Sequence, residues 1–175
     1  MATYKIDPAH SEIHFKVKHL MITNVTGSFE KFDGTLESEA PDFTDAKVTF
    51  EADINSINTN NEQRNGHLKS ADFFDAEQFP KLTFVSTGVE KTGDNEFKLT
   101  GDLTMHGVTN SVTLDVEHGG TTGDFYGQTK VGFEANGKIS RKEWGLTWGG
   151  VTEAGSIVVS DDVKLVFNIQ FTKQA

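Results

Sequence analysis

Apolar residues recur at every second position in one segment of this chain after another, and that period fits an extended strand with one apolar face. Ile13, Phe15 and Val17 alternate with His14, Lys16 and Lys18, and Val48, Phe50, Ala52 and Ile54 alternate with Thr49, Glu51 and Asp53. Leu82 and Phe84 repeat the habit, as do Phe97, Leu99, Gly101, Leu103 and Met105. Val112, Leu114 and Val116 follow, then a run from Phe125 to Ile139, then Val163, Leu165, Phe167, Ile169 and Phe171. Turn-forming residues separate the runs: DGT at 33–35 between Phe29, Phe32 and Leu36, TGDN at 92–95, HGVTN at 106–110 and HGGTTGD at 118–124. Neighbouring runs should therefore pair antiparallel. About eight strands in succession predict an all-β meander that closes into an up-and-down barrel or folds into a sandwich, and the strand length favours the barrel. Gly101, Gly127, Gly132 and Gly137 are expected where such a strand bends or another backbone approaches.

The rest of the composition narrows the function. At 175 residues the chain is long enough for one core, so a single domain over 1–175 is expected. The excess of 26 Asp and Glu over 16 Lys and Arg argues against a nucleic-acid partner. With no cysteine, disulfides and thiolate metal sites are excluded. No stretch approaches the length of a membrane-spanning helix, and the N-terminus reads as lacking a leader. The expected location is cytoplasmic as given, or periplasmic or secreted if a leader was removed. Phe accounts for 14 of the 18 aromatic residues. Phe brings apolar surface with no polar handle, which suits either a packed core or the wall of a hydrocarbon cavity.

One segment breaks the strand habit. RNGHLKSADFFDAEQFP, from residue 64 to 80, reads as a helix and a turn, the helical part over 61–70. Arg64 and His67 stand one turn apart beside Leu68, and Gly66 keeps the helix short. A second irregular stretch, SRKEWGLTWGG at 140–150, brings Arg141, Trp144 and Trp148 together. His10 and His14 have helical metal-ligand spacing, but in a strand they lie roughly 13 Å apart, so no metal site is expected. GFEANGK at 132–138 imitates a phosphate-binding loop, yet Ile139 follows the Lys and no helix does. No nucleophile elbow or triad is present, so no catalytic residue is assigned. Glu37, Glu39, Asp42 and Asp45 read as a solvated acidic loop, and Asn24-Val25-Thr26 as a sequon relevant only on secretion.

Several segments together resemble the YceI-like family: YKIDPAHSEIHFKVKHL at 4–20, GSFEKFDG at 27–34, RNGHLKSADFFDAEQFPKLTF at 64–84, LTGDLTMHGVTNSVTLDV at 99–116, SRKEWGL at 140–146 and SDDVKLVFNIQF at 160–171. They span nearly the whole chain. HLKSADFFD followed by Pro and a Thr-Phe strand is the most specific of them. One departure is Asn65, where the family usually has Asp after the Arg, which puts in doubt any salt bridge made there.

The resemblance implies a lipocalin-like eight-stranded barrel with a lengthwise apolar tunnel, capped by the helical excursion. It also implies binding of polyisoprenoids, isoprenoid quinones or other long amphiphiles. The expected function is therefore non-enzymatic carriage or sequestration of a long-chain isoprenoid or other lipid, with no cofactor. The expected ligand-binding residues are Phe15, Val17, Phe29, Phe50, Phe73 and Phe74, with Phe84, Leu103, Phe133 and Phe167. Phe73 and Phe74 would close the lid, while Arg64, His67 and Arg141 would either stitch it to the strands or meet a polar head. Two alternatives stay open: an enzyme or sensor for a small ligand beside those three cations, and a barrel packed solid that serves as an interaction module. The sequence leaves a homodimer open.

Overall fold

The computed structural model describes residues 2–20, 22–123, 126–147 and 159–174. The alternating runs form one antiparallel sheet: β1 (Ala2–Ile6), β2 (Glu12–His19), β3 (Thr23–Phe29), β4 (Phe32–Ser38), β5 (Lys47–Asp53), β6 (Ile57–Asn58), β7 (Lys81–Lys91), β8 (Glu96–Met105), β9 (Val108–Gly123), β10 (Thr129–Ser140) and β11 (Asp162–Lys173). Helix α1 (Glu62–Lys69) lies between β6 and β7. The first six strands are three bent ribbons, β1/β2, β3/β4 and β5/β6. With β7 to β11 they make an eight-membered closed ring, because β1 pairs with both β4 and β11 while β2 pairs with β3 and β11. The first bend follows from Asp7-Pro8. Proline cannot donate to a ladder, and the Asp7 carboxylate accepts from Ala9 N at 3.1 Å to cap a short turn before β2 resumes.

Two turn expectations fail in instructive ways. Residues 33–35 lie inside β4, where Gly34 sits opposite Phe50, and the ribbon bends at Glu30 and Lys31 instead. The glycine admits a ring and makes no turn. Likewise β9 runs through residues 118–123, with Gly119 the extra residue of a bulge between His118, opposite Phe133, and Gly120, opposite Gly132. Gly120 has φ +139°, a conformation that suits glycine. His106 and Gly107, with φ +54° and +72°, do form the tight β8–β9 turn. GFEANGK continues β10 as a strand. The start of the run at Phe125, and Trp148, lie outside the described residues.

The inward side chains divide into two clusters along the barrel axis. The larger, at the end covered by α1, contains Ile13, Phe29, Ile54, Phe73, Phe74, Phe84, Leu103, Met105 and Trp144. The smaller packs the other end with Tyr4, Ile6, Leu36, Phe43, Val131 and Phe171. Phe43 is its plug, with ring centroids 5.8 Å from Tyr4, 5.4 Å from Phe133 and 5.3 Å from His118. The 39–46 loop that carries it is not merely a solvated acidic face. Asp45 accepts from Ser38 Oγ at 2.5 Å and from Glu39 N at 2.8 Å, and Asp42 accepts from Thr44 Oγ1 at 2.8 Å. These bonds hold Phe43 at φ +61°, which is costly for a bulky residue.

Phe43→Ala should cost about 3–5 kcal/mol in a urea melt, as a buried ring lost from a core. The Ser38 hydroxyl, followed by backbone donors, holds the Asp45 carboxyl below its usual range. A lowered folded pKa gives stability that is complete above the unfolded value and lost on acidification through the folded one. Asp45→Asn should therefore be less stable than wild type at neutral pH, and the difference should shrink in melts at progressively lower pH.

Candidate functional site

Whether the interior is solid or hollow depends on how the inward rings lie. Two of them lie flat over glycines of the neighbouring strand: Phe15 occupies the space a Cβ would take at Gly27, and Phe84 does the same at Gly101. Flattened against the wall, they leave the axis open. The result is a cavity of about 550 Å³, within the range of small-molecule sites, so the barrel is not packed solid.

Most of the residues expected to meet a ligand line this cavity: Phe15, Val17, Phe29, Phe50, Phe73, Phe74, Phe84, Leu103 and Phe167, together with Arg64, His67 and Arg141. Leu99, Leu114, Ile139, Leu165 and Ile169 complete much of the wall. Phe133 is the correction. It points inward as its alternation requires, but at the plug end, where it packs 5.2 Å from His118 and 6.1 Å from Phe171. Period-two alternation gives the face of a strand and not the depth along the barrel.

The lid is held by polar bonds more than by an apolar helix face, since no residue of α1 is buried. Asn61 caps α1 by accepting from Arg64 N at 2.9 Å. The anchor on the sheet side is Thr59, which is 3 % exposed. Its N and Oγ1 donate to Asn65 Oδ1 at 2.8 and 2.6 Å, and its Oγ1 and carbonyl accept from Arg64 Nε and Nη2 at 2.9 and 2.5 Å. Arg64 is thus a stitch between lid and strand. Asn65 needs no charge for its part, because an amide oxygen supplies the acceptor. His67 faces Asp72 at 3.5 Å. Beyond the helix, Phe74 N and Ala76 N donate to the carbonyls of Leu68 and Lys69, folding Phe73 and Phe74 back under it.

Arg141 is a second knot, 2 % exposed. Its Nε donates to Ser160 O at 2.9 Å, Nη1 to Leu146 O at 2.6 Å and Nη2 to Val159 O at 3.3 Å, and its Cζ lies 5.7 Å above the Phe73 ring. Burial pushes its pKa below the usual guanidinium value, with Asp161 opposing the shift. On the same short turn Trp144 is buried, its Nε1 donating to Leu103 O at 2.9 Å, while His106 Nδ1 meets Trp144 O at 3.0 Å. Thr59, Phe43 and Leu146 escaped sequence reasoning. Only Asp42-x-Thr44 hinted at an ordered loop around Phe43. The histidines are dispersed, His10 against Asp7 at 2.9 Å and His14 against Glu12 at 3.2 Å, and no group of three metal-ligating side chains occurs among the described residues.

A family model for the YceI-like domain matches residues 4–171. The chain belongs to the YceI-like family. A UPF0312 protein of Staphylococcus aureus strain USA300 is 39 % identical over 173 residues, covering 98 % of each chain. Among solved structures, Burkholderia cenocepacia BcnA superposes with TM-score 0.82 at 24 % identity, covering 94 % of this chain and 98 % of that one. A polyisoprenoid binding domain from Saccharophagus degradans superposes with TM-score 0.71 at 18 % identity, covering 98 % of each. At such identities these two likenesses establish the lipocalin-like YceI barrel as a fold.

The two arginines should respond differently to substitution. Arg141→Ala strands three carbonyls in a buried site and should cost about 3–5 kcal/mol, with Arg141→Lys a poor rescue because one ammonium cannot span them. Arg64→Ala should cost about 1–2 kcal/mol and loosen the lid, read as faster amide exchange over 61–76 with little change in the strands.

Proposed function

We propose that the protein is a non-enzymatic carrier or sequestering protein for a long apolar chain, an isoprenoid or a comparable lipid, bound by burial of hydrocarbon. The observation that carries this is the cavity of about 550 Å³ whose wall is built from Phe, Leu, Ile and Val side chains of nearly every strand. The polyisoprenoid binding domain of the same fold in Saccharophagus degradans adds to it. At about 0.8 kcal/mol per buried methylene, a dozen methylenes would supply roughly 10 kcal/mol. That is comparable with the cost of association, so few polar contacts are needed. Phe73 and Phe74 would close over the chain. Arg64 is committed to Thr59 and Arg141 to backbone carbonyls, so the reading of a small-ligand enzyme or sensor gathers less support.

Isoprenoid alcohols of increasing length should raise the melting temperature progressively, as ligands of the native state must, and short polar metabolites should not. Gly27→Ala is the decisive variant, because the three atoms nearest a Cβ there all belong to the Phe15 ring, which it would displace toward the cavity. Binding by isothermal titration should fall at least about tenfold with modest loss of stability. Unchanged affinity in that variant, or no shift and no mass adduct with any chain length, would overturn the reading.

A further inference from the structure

The cavity opens beside the β2–β3 hairpin. Lys18, His19, Asn61 and Gln63 all line it and are also exposed, which places the mouth between the end of β2 and the start of α1. At the hairpin tip Ile22 is 77 % exposed, and Leu20, with φ +53°, is partly exposed. Ile22 takes no part in the core, and it stands in water three residues from His19 and from Val25, both of which line the cavity.

The wall leading to that tip carries an equally unusual charge pattern. Lys16 sits directly opposite Lys164 on β11, and Lys164 directly opposite Lys138 on β10, so three exposed lysines cross the outer face in one row with Lys18 two residues beyond. Like charges directly opposite in a sheet are unfavourable, and the chain has a net charge of −10. Of the nearby carboxylates, Asp115, which shares a surface groove with Lys16, Lys138 and Lys164, pairs with Lys98 at 3.8 Å, Asp162 is taken by Lys138 at 3.2 Å and Asp161 by Lys142 at 3.2 Å, while Glu62 begins α1. No ion pair joins Lys16, Lys18 or Lys164 to a carboxylate among the described residues. The hairpin is held in place: Lys18 N donates to Ser160 Oγ at 3.0 Å, Ser160 N donates to Lys18 O at 3.0 Å, and His19 bridges to Val159.

We propose that the mouth end of the barrel docks on an anionic phospholipid surface, the β2–β3 tip inserting its apolar side chains among the headgroups and the lysine row facing the phosphates. An apolar tip with adjacent cations is the combination that partitions to such a surface, through buried apolar area plus electrostatic attraction. The acidic remainder of the barrel would be repelled, which orients the molecule with its mouth toward the lipid. A hydrocarbon chain could then pass between bilayer and cavity without crossing water. Docking itself needs no ligand in the cavity.

The test is co-sedimentation of the full chain with vesicles of phosphatidylcholine alone and of phosphatidylcholine mixed with phosphatidylglycerol, at low and high salt. Binding should appear on the mixed vesicles, be absent on neutral ones, and weaken at high salt as screening predicts. Lys16→Gln and Lys164→Gln should each weaken it about fivefold, and Ile22→Asp should abolish it. Ile22 is exposed, so Ile22→Asp should keep the wild-type melting temperature, and it should bind an isoprenoid alcohol in solution unchanged. That solution titration reads the cavity without any vesicle, so failure of docking and failure of the carrier reading are separately visible. Equal binding to neutral vesicles, no binding to mixed ones, or binding untouched by Ile22→Asp would overturn the proposal. So would concentration-dependent self-association abolished by Ile22→Asp without vesicle binding, which would assign the tip to a second copy.

Discussion

Closure of the sheet by β11 is the constraint on which the rest depends. β11 pairs along its length with β10 and, on its other edge, with β2 and then β1 in succession. Because one straight strand faces two, the first ribbon must break without leaving the edge, and Asp7-Pro8 is where it does so. Asp7 N still donates to Gln170 O at 2.8 Å, and Ser11 Oγ accepts from Gln170 N at 3.0 Å, so the ladder is handed across the break. A closed ring has no free edge for another chain to pair with. It also commits every inward side chain to one shared volume.

An eight-stranded ring is near the size at which side chains either fill the interior or leave room for a ligand. Here the balance is decided by where glycines lie beside phenylalanines of the next strand, directly opposite for Gly27 and Phe15 and diagonal for Gly101 and Phe84. Gly27 and Gly101 let Phe15 and Phe84 lie against the wall, and the same rings standing upright would fill the axis. The two ends are closed by different physics. At one, aromatic edges converge on Phe43, held at positive φ by carboxylates of its own loop. At the other, α1 rests on hydrogen bonds centred on Thr59, with Asn58 beside it. A few hydrogen bonds open more readily than a packed aromatic cluster, which fits the proposal that a chain enters at the lid end. The mouth, the apolar hairpin tip and the lysine row all lie at that end.

Much of this was legible along the chain. Runs such as Val163 to Phe171 carry their inward face in their own spacing, and RNGHLKSADFF announces a break from it. What misled was punctuation. Asp33-Gly34 has turn chemistry, but Gly34 is needed opposite Phe50; the glycines at 119 and 120 make a bulge rather than a turn. In both cases the glycine answers a neighbour on another strand, which local sequence does not name. Phe133 failed for a related reason: its face is local information, its depth is not. The acidic loop failed because Asp45 finds Ser38, Glu39 and Ala40 only once that loop has folded back.

The sequence by itself determined that the chain makes strands, that they pair with their neighbours, that one side of each is apolar, and that one polar helix interrupts them. Each of these depends on residues within a few positions of one another, so period and turn chemistry suffice. Only the tertiary structure decided that the interior is hollow, which end is plugged, and that Arg141 serves three carbonyls. Those outcomes depend on which residues of different strands come to stand opposite, through ring closure and strand stagger. Such pairings set the free volume and the available hydrogen-bond partners, and no stretch of the chain encodes them alone.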